Sequence, residues 1–196
     1  MKDYRMALYI VVLVFITTLW LGYEIWLVIR DAARGKGKTV SDKGTRYFNF
    51  IAIWAGITAA AILSGFSKFF FPGGRTSAGF FFGIAIMLIG MALRFWSVFT
   101  LGASFRTTVE THGDQKIVRA GPYRLLRHPS YSGLILICCG YGLALQNWLS
   151  LLIVVMLPLL ALLYRIHVEE AALVSSFGSD YIEYQGHTKK LVPWVW

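Results

Sequence analysis

The chain is predicted to be an all-α integral membrane protein with about five transmembrane helices, the fourth and fifth forming a hairpin, followed by a C-terminal amphipathic helix. Three observations predict this. Hydrophobic residues make up 57% of the chain and charged residues only 15%, with a mean hydropathy of +0.59, far more apolar than an ordinary soluble domain. Long apolar stretches run at about 6–29, 47–71, 77–101 and 131–164, each reaching or exceeding the roughly 20 residues that cross a bilayer. Lysine and arginine gather in alternate loops, the signature of positive-inside topology.

The first span, Met6 to Ile29, is longer than the core of a secretory signal and lacks a small-residue cleavage site, so it is expected to be retained. A basic, glycine-bearing linker at 34–44 separates it from the second span at 47–71. The third, 77–101, carries Arg94, which must face a partner or a cavity rather than lipid; substrate contact and interfacial snorkelling both account for it. Gly79 and Gly83 in the same span make a Gly-x-x-x-Gly pair that permits close helix approach. The stretch from Tyr131 to Tyr164 is too long for one helix and is interrupted by Gln146-Asn147. It splits into two short helices joined by a tight turn, with a re-entrant hairpin as the alternative. From Val168 to Tyr184, Leu173, Phe177, Tyr181 and Tyr184 recur at three- and four-residue spacing, as in an amphipathic helix lying along the membrane surface and closing a pocket beneath it.

Orientation follows from the loop charges. The 30–46 loop holds Arg30, Arg34, Lys36, Lys38, Lys43 and Arg46, and the 102–128 loop holds Arg106, Lys116, Arg119, Arg124 and Arg127, while the opposite side has Lys2, Arg5, Lys68 and Arg75. With five spans the N-terminus lies outside, and both loops join the Lys189-Lys190 tail in the cytoplasm. This bias accounts for the net charge of +9, and no aromatic-and-basic reading surface for nucleic acid is present. Cys138 and Cys139 are adjacent in mid-helix with no other cysteine, which excludes a structural disulfide or zinc site. No glycine-rich loop follows a strand, so no Rossmann domain is expected. A single membrane-embedded domain, 1–196, is expected, with its chemistry in about 102–196.

Two polar clusters interrupt the apolar second half: Arg127-His128-Pro129-Ser130-Tyr131 and, beyond the hairpin, Arg165-Ile166-His167-Val168-Glu169-Glu170. Ionisable groups at a bilayer boundary are expensive and usually functional. The loop at 102–130 is long enough to be functional, and Val118 to Tyr123, with Gly121-Pro122, reads as an ordered turn. Proline is tolerated in the first helical turn, so His128-Pro129 starts the fourth helix and leaves amides free to receive an acceptor. Arg165 and Glu169 stand four apart on one helical face, with Glu170 pointing elsewhere. Antiparallel packing of helices four and five brings His128 and Tyr131 to that face, making one pocket from two distant clusters. Simpler roles exist for each: a helix cap for His128, a snorkelling anchor for Arg165, and aromatic-belt positions for Tyr123 and Tyr131. His112 and His187 read as solvated loop residues, and His167 as a pocket candidate.

The order Val118, Gly121-Pro122-Tyr123, Arg127 to Tyr131, a hydrophobic hairpin, Arg165 with Glu169-Glu170, Phe177-Gly178 and Tyr181 to Tyr184 resembles the isoprenylcysteine carboxyl methyltransferase family over about the last 85 residues. Related phospholipid methyltransferases share much of the pattern. The resemblance implies transfer of a methyl group from S-adenosylmethionine to the C-terminal carboxylate of a prenylated cysteine or similar lipid-linked acid. It places cofactor contacts on Gln115, Lys116, Ile117, Val118, Tyr123, His128, Pro129, Ser130, Tyr131 and Glu169, and makes Arg165 the substrate-side arginine. Arg127 and Arg94 are further candidates for the substrate, and Arg165 with Glu169 for catalysis. The chemistry agrees, because a carboxylate is already a nucleophile and needs positioning rather than a metal or a Ser or Cys nucleophile; a guanidinium fork supplies that positioning. The chain departs from eukaryotic members in having fewer spans and in Gln115-Lys116, where those members usually carry histidine. An amine-lipid methyltransferase using the same cofactor residues, a sterol-reductase-like NADPH enzyme and a non-catalytic membrane protein are the alternatives.

Overall fold

The computed structural model describes residues 2–33, 39–40, 42, 44–107, 110–111 and 117–193. These residues are almost entirely helical: α1 Lys2–Ala33, α2 Thr45–Leu63, α3 Ser77–Leu101, α4 Pro129–Leu145, α5 Trp148–Phe177 and α6 Ser179–His187. The exception is a two-residue antiparallel pair, β1 Thr39–Val40 with β2 Glu110–Thr111. Four helices, α1, α2, α3 and α5, are long and apolar enough to cross a membrane, and α4 is a shorter apolar helix of 17 residues. Large apolar side chains point outward along their length, among them Val11 and Phe15 of α1, Phe81, Phe82 and Phe99 of α3, and Leu152 and Leu160 of α5. A surface of this kind suits lipid and not water.

The expected third span coincides with α3, and the break at Gln146-Asn147 is present. Gln146 takes a left-handed backbone (φ 53°) that ends α4, and the Asn147 side chain accepts from the Ser150 amide to cap α5. The same two side chains fasten the hairpin to its neighbours. Gln146 exchanges hydrogen bonds with the Thr76 backbone (2.8 and 2.9 Å), and Asn147 donates to the carbonyls of Leu63 and Phe66. The turn therefore sits level with the end of α2 and the start of α3.

Three expectations are corrected. The second span stops at Leu63 rather than 71, because Asn147 takes up two carbonyls at its end and Gly65 and a short 3₁₀ turn at Ser67–Phe69 follow. The fifth helix does not stop at Tyr164 but runs unbroken to Phe177. At 1.5 Å per residue its 30 residues reach about 45 Å, about ten residues more than a hydrocarbon core of about 30 Å requires. The amphipathic tail expected over 168–184 is consequently two pieces, the end of α5 and the nine-residue α6, divided at Gly178 (φ 57°).

The tightest packing is between α3 and α4, and glycines permit it. A Cβ on Gly83 would press into the backbone of Ala144, and one on Gly140 into that of Met87. A Cβ on Gly90 would lie 2.7 Å from the Gly133 carbonyl, and one on Gly133 would lie 2.8 Å from the Arg94 nitrogen. The contact thus uses Gly83 of the Gly79/Gly83 pair, repeated seven residues on at Gly90 and matched by Gly133 and Gly140 across the interface. Around it lie Ile84, Met87, Leu134, Ile137 and Tyr141, joined by Ile57 of α2 and Val154 and Leu162 of α5. By contrast α1 is mostly exposed, with Tyr9 stacked on Phe80 at 4.4 Å near one end.

Overpacking this seam should be severe. Gly140→Leu is expected to lower stability by at least ~2 kcal/mol, read as a fall in Tm of the detergent-purified protein. Gly186→Ala in α6, whose added Cβ meets nothing within 4 Å, should lose none.

Candidate functional site

Helix direction alternates, so the α1–α2 linker, the segment after α3, the start of α4 and the end of α5 meet at one end of the bundle. There they line a cavity of about 210 Å³ that opens to the outside. Its polar wall is drawn from both sequence clusters: Arg127, His128, Ser130 and Tyr131 from around the start of α4, and Arg165 and Glu169 from α5. Ile117, Val118 and Tyr123 line it from the loop, Arg94 from α3, and Phe177, Tyr181 and Tyr184 from the end of α5 and from α6.

The central connection is Tyr131. Its hydroxyl donates to Glu169 Oε2 at 2.6 Å and accepts from Arg165 Nε at 2.7 Å, while its ring stacks on His128 with centroids 5.5 Å apart. Arg165 and Glu169, one turn apart on α5, are thereby held through one phenol from α4. The remaining Arg165 donors reach Asp42 Oδ1 and Thr45 Oγ1 (3.1 Å each) and the Thr107 carbonyl (2.7 Å). A second arginine, Arg94, sits seven residues, or about 10 Å, inside the end of α3. It grips Glu24 of α1 through Nε and Nη2 and donates from Nη1 to Ser130 Oγ at 2.7 Å. Trp20 Nε1 also donates to Glu24, at 2.9 Å.

Behind His128 lies a fourth acid. Glu170 accepts from Arg127 Nε at 2.7 Å, meets His128 Nε2 at 3.3 Å and has Lys190 Nζ 3.8 Å away. Residues 188–191 run beside 125–128: the Arg127 and His128 amides donate to the Lys189 and Lys190 carbonyls (2.7 and 3.1 Å), and Ser132 Oγ donates to the Leu191 carbonyl (2.6 Å). From α6, the Tyr184 hydroxyl donates to the Tyr123 carbonyl at 2.7 Å. Burial pushes the Tyr184 phenol up to about 12 and that of Tyr123 well above its usual value, so both stay protonated at physiological pH.

Of the residues singled out in the sequence, Ile117, Val118, Tyr123, His128, Ser130, Tyr131, Glu169, Arg165, Arg127 and Arg94 come together around this cavity. Pro129 is buried behind it. Arg127 reaches the wall, yet its donors are taken by Glu170 and the carbonyls of Gln185 and Thr188. Gln115, Lys116 and His112 lie outside the described residues. His167 is exposed on the far side of α5 and His187 is exposed on α6. The amides at the start of α4 are not open to an acceptor as expected: those of Tyr131 and Ser132 bond to the His128 carbonyl. Glu170 does point away from Glu169, but toward His128 and Arg127. Sequence reasoning missed Glu24, Asp42 and the part played by Glu170. For Glu24 a signal was present, since it is an acid within an apolar span just as Arg94 is a base.

A sequence model of the isoprenylcysteine carboxyl methyltransferase family matches residues 83–175. Protein-S-isoprenylcysteine O-methyltransferase B of Arabidopsis thaliana is 32% identical over 116 residues, 58% of this chain and 59% of that protein. The Saccharomyces cerevisiae protein-S-isoprenylcysteine O-methyltransferase is 34% identical over 115 residues, 58% of this chain and 48% of its own length. A solved structure of the eukaryotic intramembrane Ras methyltransferase, isoprenylcysteine carboxyl methyltransferase, superposes with a TM-score of 0.65 at 26% identity, over 72% of this chain and 52% of that one. The family resemblance is thus shown. This chain spans about two-fifths to three-fifths of the length of the curated relatives it matches.

Glu170→Ala would strand two buried basic side chains. It is expected to destabilise the protein by about 3 kcal/mol, seen in thermal unfolding in detergent. Adding Arg127→Met should recover part of that loss, because the orphaned guanidinium is then gone.

Proposed function

We propose that this relative of the isoprenylcysteine carboxyl methyltransferases transfers a methyl group from S-adenosylmethionine to the carboxylate of a prenylated cysteine or similar lipid-linked acid. The observation that carries the reading is the Arg165–Tyr131–Glu169 chain in one cavity, at the end of the bundle where α5 leaves the hydrocarbon. The reading treats 1–196 as one membrane-embedded domain with its chemistry in 102–196.

The donor set fits the cofactor. S-adenosylmethionine carries ribose hydroxyls and an amino group, all donors, and a sulfonium; Glu169 offers a carboxylate to them, and Tyr123, Phe177 and Tyr181 offer aromatic walls to a cation. When bound, it supplies an electrophilic methyl group. Tyr131 fixes the Glu169 carboxylate by hydrogen bonding, and His128, stacked on Tyr131 and bonded to Glu170, holds that ring in turn. Arg94 and Arg165, which line the same cavity, are the basic groups for an acid acceptor. The apolar side chains between α1 and α2, Leu21 and Val28 facing Phe50, Ile53 and Trp54, suit the acceptor's hydrocarbon. Alignment and exclusion of water do the remaining work.

The excess of lysine and arginine in the loops at this end supports a cytoplasmic cavity and an N-terminus outside, so that a water-soluble cofactor and a bilayer-borne acceptor would meet at the boundary. No metal takes part in the reading.

Calorimetric titration of the detergent-purified protein with S-adenosylhomocysteine tests it. Saturable binding is expected, weakened at least about 30-fold, or ~2 kcal/mol, in Glu169→Ala through loss of a charge-assisted contact. Binding of a nicotinamide dinucleotide in its place would overturn the methyltransferase reading. Methylation of amine-headed lipids with no transfer to prenylcysteine acids would overturn the acceptor.

A further inference from the structure

We propose that Glu24 and Asp42 are positioning residues that damp the charge of Arg94 and Arg165, so that an acceptor carboxylate is oriented in the cavity yet stays nucleophilic. The inference rests on the methyltransferase reading above.

The cavity contains two deeply buried arginines able to face an acceptor's acid group, 6% and 4% exposed, and each is already matched by a carboxylate of this chain. Glu24 takes both the Nε and Nη2 edges of Arg94, and Asp42 Oδ1 accepts from Arg165 Nη1 at 3.1 Å. Neither acid is loosely held. Trp20 Nε1 donates to Glu24, and Asp42 accepts from Thr45 Oγ1 at 2.9 Å and from the Arg46 amide at 3.3 Å. Both come from the segment before residue 83, outside the part of the chain that matches the family.

Charge flow in the reaction gives this arrangement a purpose. An acceptor oxygen lone pair forms the bond to the methyl carbon as the carbon–sulfur bond breaks, and the bonding pair stays on sulfur. No proton moves. The acceptor therefore begins with a full negative charge and ends as a neutral ester, and its charge is already falling in the transition state. A bare guanidinium in a low-dielectric pocket stabilises the starting carboxylate more than the transition state. Such a clamp would improve binding and slow the transfer. A guanidinium whose charge is offset by an internal carboxylate exerts a much weaker field, while the N–H groups not taken by Glu24, Asp42 and the neighbouring acceptors stay for orientation.

A plain structural role for the two acids, satisfying arginines that the membrane interior penalises, gives a different signature. The test uses the full chain in lipid nanodiscs, S-adenosylmethionine and an S-prenylated N-acetylcysteine, with Glu24→Gln and Asp42→Asn as nearly isosteric variants. In each, acceptor KM is expected to fall about fivefold and kcat about tenfold, as ground-state binding rises at the expense of the transition state. Equilibrium binding of the same acid to the protein saturated with S-adenosylhomocysteine should tighten to a similar degree. Glu24→Asp, which keeps the charge, should return both constants toward wild type.

A rise in acceptor KM, or a fall in kcat with KM unchanged, would show the acids to be structural and overturn the proposal. The two acids act on different arginines, so a variant that misfolds leaves the other decisive. Wild-type protein that turns over no acid acceptor would sink the parent reading instead, which keeps the two failures distinguishable.

Discussion

The constraint on which the rest depends is that no arginine can stay unmatched where an apolar bundle meets lipid. Four acids answer four largely buried arginines around one end of the molecule: Glu24 with Arg94, Asp31 with Arg106, Asp42 with Arg165 and Glu170 with Arg127. Each pair joins segments far apart in the chain. Glu24 and Asp31 tie the loosely packed α1 to α3 and to the segment after it, Asp42 ties the start of α2 to α5, and Glu170 ties α5 to the approach of α4. Breaking such a pair leaves a buried charge uncompensated, a larger penalty than the pair's net worth. The pairs therefore specify which segments close over the cavity, whatever they add to stability.

That closure needs α3 and α4 to lie unusually near each other, and here backbone geometry and site chemistry converge. Gly133, one turn into α4, faces the Arg94 nitrogen closely enough that any side chain would collide with it. The same closeness brings Arg94 within 2.7 Å of Ser130 Oγ. Close helix contact in lipid relies on small residues because no hydrophobic driving force separates helix from solvent. In this chain, the close contact also delivers a membrane-depth guanidinium to the first turn of α4.

What could be read from the sequence was local. The apolar run 77–101 is α3, the polar pair Gln146-Asn147 breaks the hairpin, and the motif residues Tyr131, Arg165 and Glu169 meet as their spacing implied. The misses involve long-range pairing or continuation past a polar signal. Arg165, His167 and the glutamates looked like the end of a span, but their helix runs on unbroken to Phe177. Glu170 faces away from Glu169, and only the packing of 125–128 against α5 and the tail gives its direction a meaning. Asp42 lies in a basic linker where an acid draws no attention, and its partner stands 123 residues away. The seven-residue recurrence of Gly83 with Gly90 and Gly133 with Gly140 became visible only across the interface that uses it.

The distribution of these features along the chain separates two tasks. Tyr131, His128 and Glu169, the groups around the proposed cofactor, and Arg165, proposed to meet the acceptor, all fall within 83–175. Glu24, Asp42 and the apolar wall of α1 and α2 fall outside it. On the methyltransferase reading proposed above, the cofactor would ask for the same contacts in every such enzyme, whereas an acceptor's head and chain would be met by surfaces that differ with the acceptor. With Glu24 on α1 and Asp42 in the linker before α2, the counter-charges of both arginines lie before residue 83, and on the same reading the field at the proposed acceptor can change with that segment while the proposed cofactor contacts stay fixed. The electrostatics of this pocket therefore follow from its own Glu24 and Asp42, and a relative that shares only the matched half supplies no guide to them.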